Sequence, residues 1–229
     1  MTKNIVFPNR GERTFGWCYA FFCALCLPWI LNFIVSAVGI TVSGAVLNLC
    51  YFAINFLAVV IAFHRFWART GKDVLERLLW ILLIAVGGFF VYFLATQGLG
   101  RLISWIKPDF YNANNQSIAA LANSHYVLTL ICTVFLVPLT EECLYRGAIF
   151  GGLFQKNPFA AYAVSTLVFA LVHVDGLIGA IDPLTLVLSF LQYIPAGLCL
   201  AAAYHLSGSI VAPILIHMAV NAIGIFALR

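Results

Sequence analysis

The chain has 229 residues, of which 63% are hydrophobic and 9% are charged, with a net charge of +4. A soluble domain carries roughly 45–50% apolar and about 25% charged residues, so this composition excludes a soluble globular protein. The apolar share amounts to about 144 residues, and a spanning helix needs about 20, so about seven spans fit. Because the apolar runs are continuous, helices are favoured over a membrane β-barrel. We expect an all-α, polytopic transmembrane helical bundle in a lipid bilayer.

Seven helices with soft boundaries are predicted along the chain, and the first is interrupted at Pro28. Their ranges are 17–40, 42–63, 78–100, 127–154, 159–174, 184–206 and 210–228. A basic amphipathic connector at 64–77 is expected on the inner leaflet, and a longer polar segment covers 101–126, where the run YNANNQS indicates an exposed loop. We divide the chain into residues 1–126, with three spans, and residues 127–229, with four.

The positive charges predict the orientation. With the N-terminus inside, eight basic residues face one side of the membrane and three face the other, which agrees with the positive-inside rule. The eight are Lys3, Arg10, Arg13, Arg65, Arg69, Lys72, Arg77 and Lys156, and the three are Arg101, Lys107 and Arg229. The charge is therefore explained by cytoplasmic loops, and no nucleic-acid partner is expected.

The cysteines give little evidence of chemistry. Cys23 and Cys26 form a C-x-x-C spacing, which can indicate redox or metal chemistry. Inside the apolar run FFCALCLPW we interpret them as small packing residues of one helix, because a buried thiol resists ionisation.

Ionisable and strongly polar residues within apolar helices are expensive, and they are candidate functional residues for that reason. Three of the predicted helices carry such residues: Glu141, Glu142, Arg146, His173, His217 and Asn221. Residues four apart share a helix face, which pairs Glu142 with Arg146, Phe169 with His173, and His217 with Asn221. Glu141 is rotated by about 100° from Glu142 and can point elsewhere.

The depths of these groups in the membrane overlap. Counted from the expected cytoplasmic helix ends, Glu141 and His173 lie at about 21 and 22 Å, and His217 and Asn221 at about 12 and 18 Å. Helix tilts near 20° reduce these differences. We therefore expect the polar residues to converge around a wet cavity inside the bundle.

A carboxylate, two imidazoles and a carboxamide are suited to hydrolysis. Glu141 can take a proton from water with the help of His173, while His217 and Asn221 can stabilise an oxyanion. The alternative is a zinc ion held by Glu141, His173 and His217. No H-E-x-x-H or G-x-S-x-G motif occurs, and Ser165 and Ser189 have no base at helical spacing, so serine hydrolysis is disfavoured.

The ordered segments EECLYR, FALVH and HMAVN resemble three signatures of the CPBP family of intramembrane proteases: E-E-x-x-x-R, F-x-x-x-H and H-x-x-x-N. That family includes the type II CAAX prenyl endopeptidases and the bacteriocin-immunity (Abi) proteins. The resemblance covers about residues 127–225. It implies that Glu141 activates water with His173, that Glu142 and Arg146 support Glu141, and that His217 and Asn221 form an oxyanion hole. It implies either a metal-dependent or a glutamate-dependent reaction; we favour catalysis without a metal, with zinc as the alternative cofactor.

The main hypothesis is therefore an intramembrane endopeptidase that acts on a peptide or a membrane-associated protein. A non-proteolytic immunity or scaffold protein on the same fold is the alternative, and a small transporter or channel is a third hypothesis. The intact motifs favour a protease, and the lack of repeated halves disfavours a transporter. The expected location is a cell membrane, specifically the bacterial cytoplasmic membrane.

Overall fold

The computed structural model describes residues 5–227, and Lys3, Leu228 and Arg229, which entered the expectations above, lie outside that range. No strand occurs among residues 5–227. The helices are α1 Arg10–Leu25, α2 Leu27–Val38, α3 Gly44–Ala62, α4 His64–Ile106, α5 Ala113–Phe154, α6 Pro158–Val172, α7 Pro183–Ser207 and α8 Val211–Phe226. The predicted all-α polytopic bundle is confirmed.

Local sequence signals set most helix ends. Asn9 and Glu12 form a reciprocal capping box at the start of α1, and the side chains of Asn112 and Asp182 cap α5 and α7. A side-chain cap on Asn157 followed by proline starts α6. The predicted break at Pro28 is present, since α1 and α2 meet at a bend of 52°.

The number of spans differs from the expected seven. By length and composition, α3, α4, α5 and α7 can each cross a membrane, and the bent pair α1–α2 provides a fifth candidate. All seven predicted helices exist, but α6 has 15 residues and α8 has 16. A helix of that length extends about 22–24 Å, which is less than the roughly 30 Å hydrocarbon core.

Two predicted connectors are parts of longer helices. Residues 64–77 are the first part of α4, a helix of 43 residues, because no proline or paired glycine interrupts them. An Arg77–Asp73 ion pair with an N–O distance of 2.6 Å supports this turn. The polar segment 101–126 contains the end of α4 and the start of α5, so most of the YNANNQS run is the first turn of a helix rather than an exposed loop.

The outer surface of the bundle is apolar. Large side chains such as Trp29, Phe33, Leu79 and Trp105 are more than 70% exposed. In contrast, the charged pair Glu142 and Arg146 is fully buried. This inversion of the usual soluble arrangement suits a lipid environment.

The first helix packs directly on the helix that carries the glutamates. A Cβ added at Gly16 would lie 2.3 Å from the Ala148 side chain, so only glycine permits this approach of α1 to α5. The Glu12 carboxylate accepts the Phe66 backbone N–H at 2.7 Å and pairs with Arg69 at 3.1 Å. The two predicted halves therefore share one core, and the proposed division at residue 126 stays a prediction.

Candidate active site

Helix α5 changes its winding where the glutamates lie. Residues Cys132–Leu136 and Glu142–Phe150 form π-helical turns, and Pro138 lies between them. Proline removes one backbone donor and clashes with the carbonyl four residues earlier, which a wider turn relieves. Such π turns occur frequently at functional sites.

Glu142 and Arg146 form the predicted pair. The Arg146 Nη1 atom donates to Glu142 Oε1 at 3.1 Å, and neither side chain has any exposed surface. The Arg146 guanidinium also lies 4.2 Å from the centre of the Phe169 ring and donates to the Gly197 carbonyl at 3.4 Å. The pair therefore neutralises its charge deep in the bundle.

His217 adds a third member to this pair. Its Nδ1 atom lies 2.9 Å from Glu142 Oε1, and the His217 ring is buried. The sequence predicted contacts between Glu142 and Arg146 on one helix, but it gave no reason to join His217 to Glu142 rather than to Glu141. One carboxylate oxygen of Glu142 thus receives both a guanidinium and an imidazole.

Glu141 and His173 form a second, more open pair. Glu141 Oε2 and His173 Nε2 are 3.9 Å apart, and their side chains are 20% and 15% exposed. The His173 Nδ1 atom is hydrogen-bonded to the Phe169 carbonyl at 2.7 Å. Within the part of the chain that the structure describes, Glu141 Oε2 is buried without a hydrogen-bond partner, which leaves it available to another molecule.

A cavity of about 50 Å³ lies beside Glu141. One water needs about 10–15 Å³ of such space, so about three to five fit. Glu141 and Tyr145 of α5 line one side, and the first and third helices supply the other with Cys23, Tyr51 and Asn55. The cavity therefore lies between Glu141 and two helices, α1 and α3, that carry none of the three motifs.

Phe169 joins the two pairs. Its ring centre lies 4.5 Å from that of His173 and 6.1 Å from that of His217, while Arg146 covers its face. The contact between Phe169 and His173 agrees with their predicted i, i+4 spacing on one helix face. Arg146, His173 and His217 contact the Phe169 ring, and the two glutamates pair with these three residues.

Asn221, the sixth predicted residue, has a separate partner. Its Nδ2 atom donates to the Thr133 carbonyl at 2.7 Å, in the first π turn of α5. One amide hydrogen is occupied there, and the second remains for another acceptor.

Sequence reasoning missed Tyr193 of α7. Its ring lies 4.2 Å from the His173 ring, with an angle of 31° between the planes. The Tyr193 hydroxyl accepts from Asn114 Nδ2 at 3.1 Å, and Asn112 donates to the neighbouring Gln192 at 2.6 Å. The polar YNANNQS run was the available signal, but it was interpreted as an exposed loop.

The remaining candidates have packing contacts. Ser165 is buried and its Oγ donates to the Tyr145 carbonyl at 2.9 Å. Cys23 is buried beside the cavity, whereas Cys26 is exposed, so these two thiols do not share one environment. Residues 5–227 contain no group of three His, Cys, Asp or Glu side chains close enough to hold a metal ion.

Comparisons with known proteins agree with the motifs. Residues 123–223 match the sequence model of the family described as type II CAAX prenyl endopeptidase Rce1-like. A relative from Bacillus subtilis (strain 168), named putative membrane peptidase YdiL, is 29% identical over 142 residues, which cover 61% of this chain and 53% of the relative. The chain thus spans about half the length of that curated relative. No solved structure matches.

Proposed function

We propose that this protein is an intramembrane endopeptidase in which Glu141 and His173 activate a water. The match of residues 123–223 to the type II CAAX prenyl endopeptidase Rce1-like family model supports this proposal. The observation that carries this proposal is the distance of 3.9 Å between Glu141 Oε2 and His173 Nε2. Glu141 also lines the cavity. The substrate class is a peptide or a membrane-associated protein.

The proton positions on His173 support this role. A backbone carbonyl accepts only, so the bond to Phe169 places a hydrogen on His173 Nδ1. In the neutral ring, Nε2 then carries a lone pair and faces a carboxylate oxygen, which is also an acceptor. A water molecule between them can donate one hydrogen to His173 Nε2 and the other to Glu141 Oε2. The 3.9 Å separation is too long for a direct hydrogen bond, and a bridging water is the proposed partner of both atoms.

The reaction follows from that water. Its oxygen forms a bond to the scissile carbonyl carbon while Glu141 takes one of its protons. The carbonyl π electrons move to the oxygen, and the tetrahedral intermediate then expels the nitrogen, which receives the proton held by Glu141. The products are a carboxylic acid terminus and an amine. His173 orients the water and shares its remaining proton.

The proposed role of His217 is to stabilise the oxyanion of the tetrahedral intermediate. The Glu142 carboxylate accepts from His217 Nδ1, so Nε2 can donate a hydrogen bond only when the ring is an imidazolium. Glu142 and Arg146 would then hold a net positive group where negative charge develops, in a site with little solvent. The second amide hydrogen of Asn221 would complete the oxyanion hole that the family resemblance implies.

Zinc chemistry fits this arrangement less well. A catalytic zinc site uses three protein ligands, and residues 5–227 do not bring three such side chains together. The reaction proposed here therefore uses protein side chains and no metal.

The experiment is a cleavage assay with purified protein in liposomes and a library of quenched fluorogenic peptides. Wild type should cleave a subset of the peptides, and Glu141→Gln and His173→Ala should cleave them about 10²–10⁴-fold more slowly. Glu76→Gln, which alters an exposed glutamate of α4, is the matched control and should cleave as wild type does. Equal cleavage by wild type and Glu141→Gln would contradict the assignment. No cleavage by any form would favour the immunity or scaffold alternative.

A further inference from the structure

Helix α6 alone does not fix the orientation of the His173 ring. It directly follows Val172, the last residue of α6, and the chain then enters a short 3₁₀ turn at Asp175–Leu177. The second side-chain torsion of histidine is broad rather than restricted to sharp rotamers. The hydrogen bond from Nδ1 to the Phe169 carbonyl holds one atom of the ring. The direction of Nε2 therefore depends on what packs against the two faces.

Two aromatic rings pack against the His173 ring. Phe169 lies 4.5 Å from the His173 ring centre, and Tyr193 lies 4.2 Å from it. The two aromatic residues come from different helices, α6 and α7. An aromatic ring at this distance and a small interplanar angle contributes directional packing as well as buried area.

Tyr193 is itself held in place through its hydroxyl. Asn114 Nδ2 donates to it at 3.1 Å and Asn112 Nδ2 at 3.4 Å. Asn112 Oδ1 accepts from the Asn115 backbone N–H at 3.0 Å, and Asn112 Nδ2 donates to the Gln192 side-chain oxygen at 2.6 Å, so both ends of this amide are held. The start of α5 thereby supports the ring that covers His173.

We propose that Tyr193 is a positioning residue for His173: its ring keeps Nε2 directed at Glu141 Oε2, and the two asparagines at the start of α5 keep that ring in place. This inference rests on the proposed function. It gives the polar run at the start of α5 a role in supporting His173, which follows α6.

The first test separates the ring from the hydroxyl. Tyr193→Leu removes the aromatic face and should lower kcat about 10–100-fold through misplacement of the imidazole. The KM should change less than twofold, because Tyr193 contacts His173 and not the substrate. Tyr193→Phe keeps the ring and should retain at least about a third of the wild-type kcat. Where Tyr193→Leu gives no folded protein, Tyr193→Met takes its place with the same expectation.

A matched tyrosine controls for packing. Tyr162 also contacts a histidine, with its hydroxyl 3.0 Å from His205 Nδ1, but this pair lies outside the site. Tyr162→Leu should leave kcat within about twofold. Three results would overturn the proposal: an unchanged kcat in Tyr193→Leu, an equal loss in Tyr193→Phe, or an equal loss in Tyr162→Leu.

A second readout does not need activity. Diethyl pyrocarbonate modifies neutral imidazole nitrogens, and mass spectrometry locates the label. His173 should react faster in Tyr193→Leu than in wild type and Tyr193→Phe, with His205 as the internal reference. An unchanged rate at His173 would contradict the positioning role, whether or not the protein cleaves peptides. Absence of cleavage with the expected labelling would instead contradict the proposed function alone.

Discussion

Removing the charge of Glu142 should destabilise the protein as well as inactivate it. Both side chains of the Glu142–Arg146 pair are fully buried, and Glu142 Oε1 also contacts His217. In Glu142→Gln, the buried Arg146 guanidinium would lose its negatively charged partner and keep only neutral acceptors, which include the Gly197 carbonyl, together with the Phe169 face. Breaking a buried pair costs roughly 3–5 kcal/mol. At about 2–4 °C per kcal/mol for a chain of this size, the Tm should fall by about 6–20 °C.

Thermal unfolding in detergent, followed by size-exclusion chromatography, measures this shift. Glu141→Gln is the matched variant, because that side chain is partly exposed and its Oε2 has no hydrogen-bond partner within residues 5–227; its Tm should change by less than about 2 °C. The double variant Glu142→Gln/Arg146→Met removes both charges and should recover part of the lost stability. Equal Tm values for Glu141→Gln and Glu142→Gln, or a double variant less stable than Glu142→Gln, would refute the reasoning.

Three further outcomes are expected. Asn221→Ala should lower turnover about 10²–10³-fold, the usual effect of losing one oxyanion donor. Stoichiometric zinc that is present in wild type and in Asn221→Ala but lost in His217→Ala would instead support a metal mechanism. Cys23→Phe should fill the cavity beside Glu141 and abolish turnover, whereas Cys50→Phe at an exposed position should not; comparable activities would show that the cavity is not used. Ala68→Cys, exposed on the basic part of α4, should react with a membrane-impermeant thiol reagent only from the cytoplasmic side, and labelling of intact cells would reverse the orientation.

Pairs within one helix were predictable because local spacing alone defines them. The Glu142–Arg146 contact and the Phe169–His173 contact both follow from residues four apart on one helix. The break at Pro28 also follows from a local property, the missing backbone donor. These features require no knowledge of how the helices pack.

Contacts between helices were not predictable in the same way. His217 and Asn221 share a face, yet one contacts Glu142 and the other the Thr133 carbonyl. The π turns of α5 change the direction of its side chains, so a rotation of about 100° per residue does not determine which glutamate meets which histidine. Tyr193 has no sequence relation to His173 and reaches it only through the packing of α7 on α6.

The polar segment before the first motif shows the same limitation. Asparagine-rich sequence is typical of turns, but it also caps helices, and here Asn112 starts α5. The choice between the two depends on tertiary partners, which Gln192 and Tyr193 supply.

The central claim is that Glu141 and His173 act together on one water, and a double-mutant cycle on kcat tests it most directly. Glu141→Gln and His173→Ala should each lower kcat about 10²–10⁴-fold. The effects of residues that act as a unit are not additive. The kcat of the double variant should therefore be no more than about threefold below that of the less active single variant. The account would be contradicted if the fold-loss in kcat of the double variant equalled the product of the two single losses. Full activity in either single variant would also contradict it.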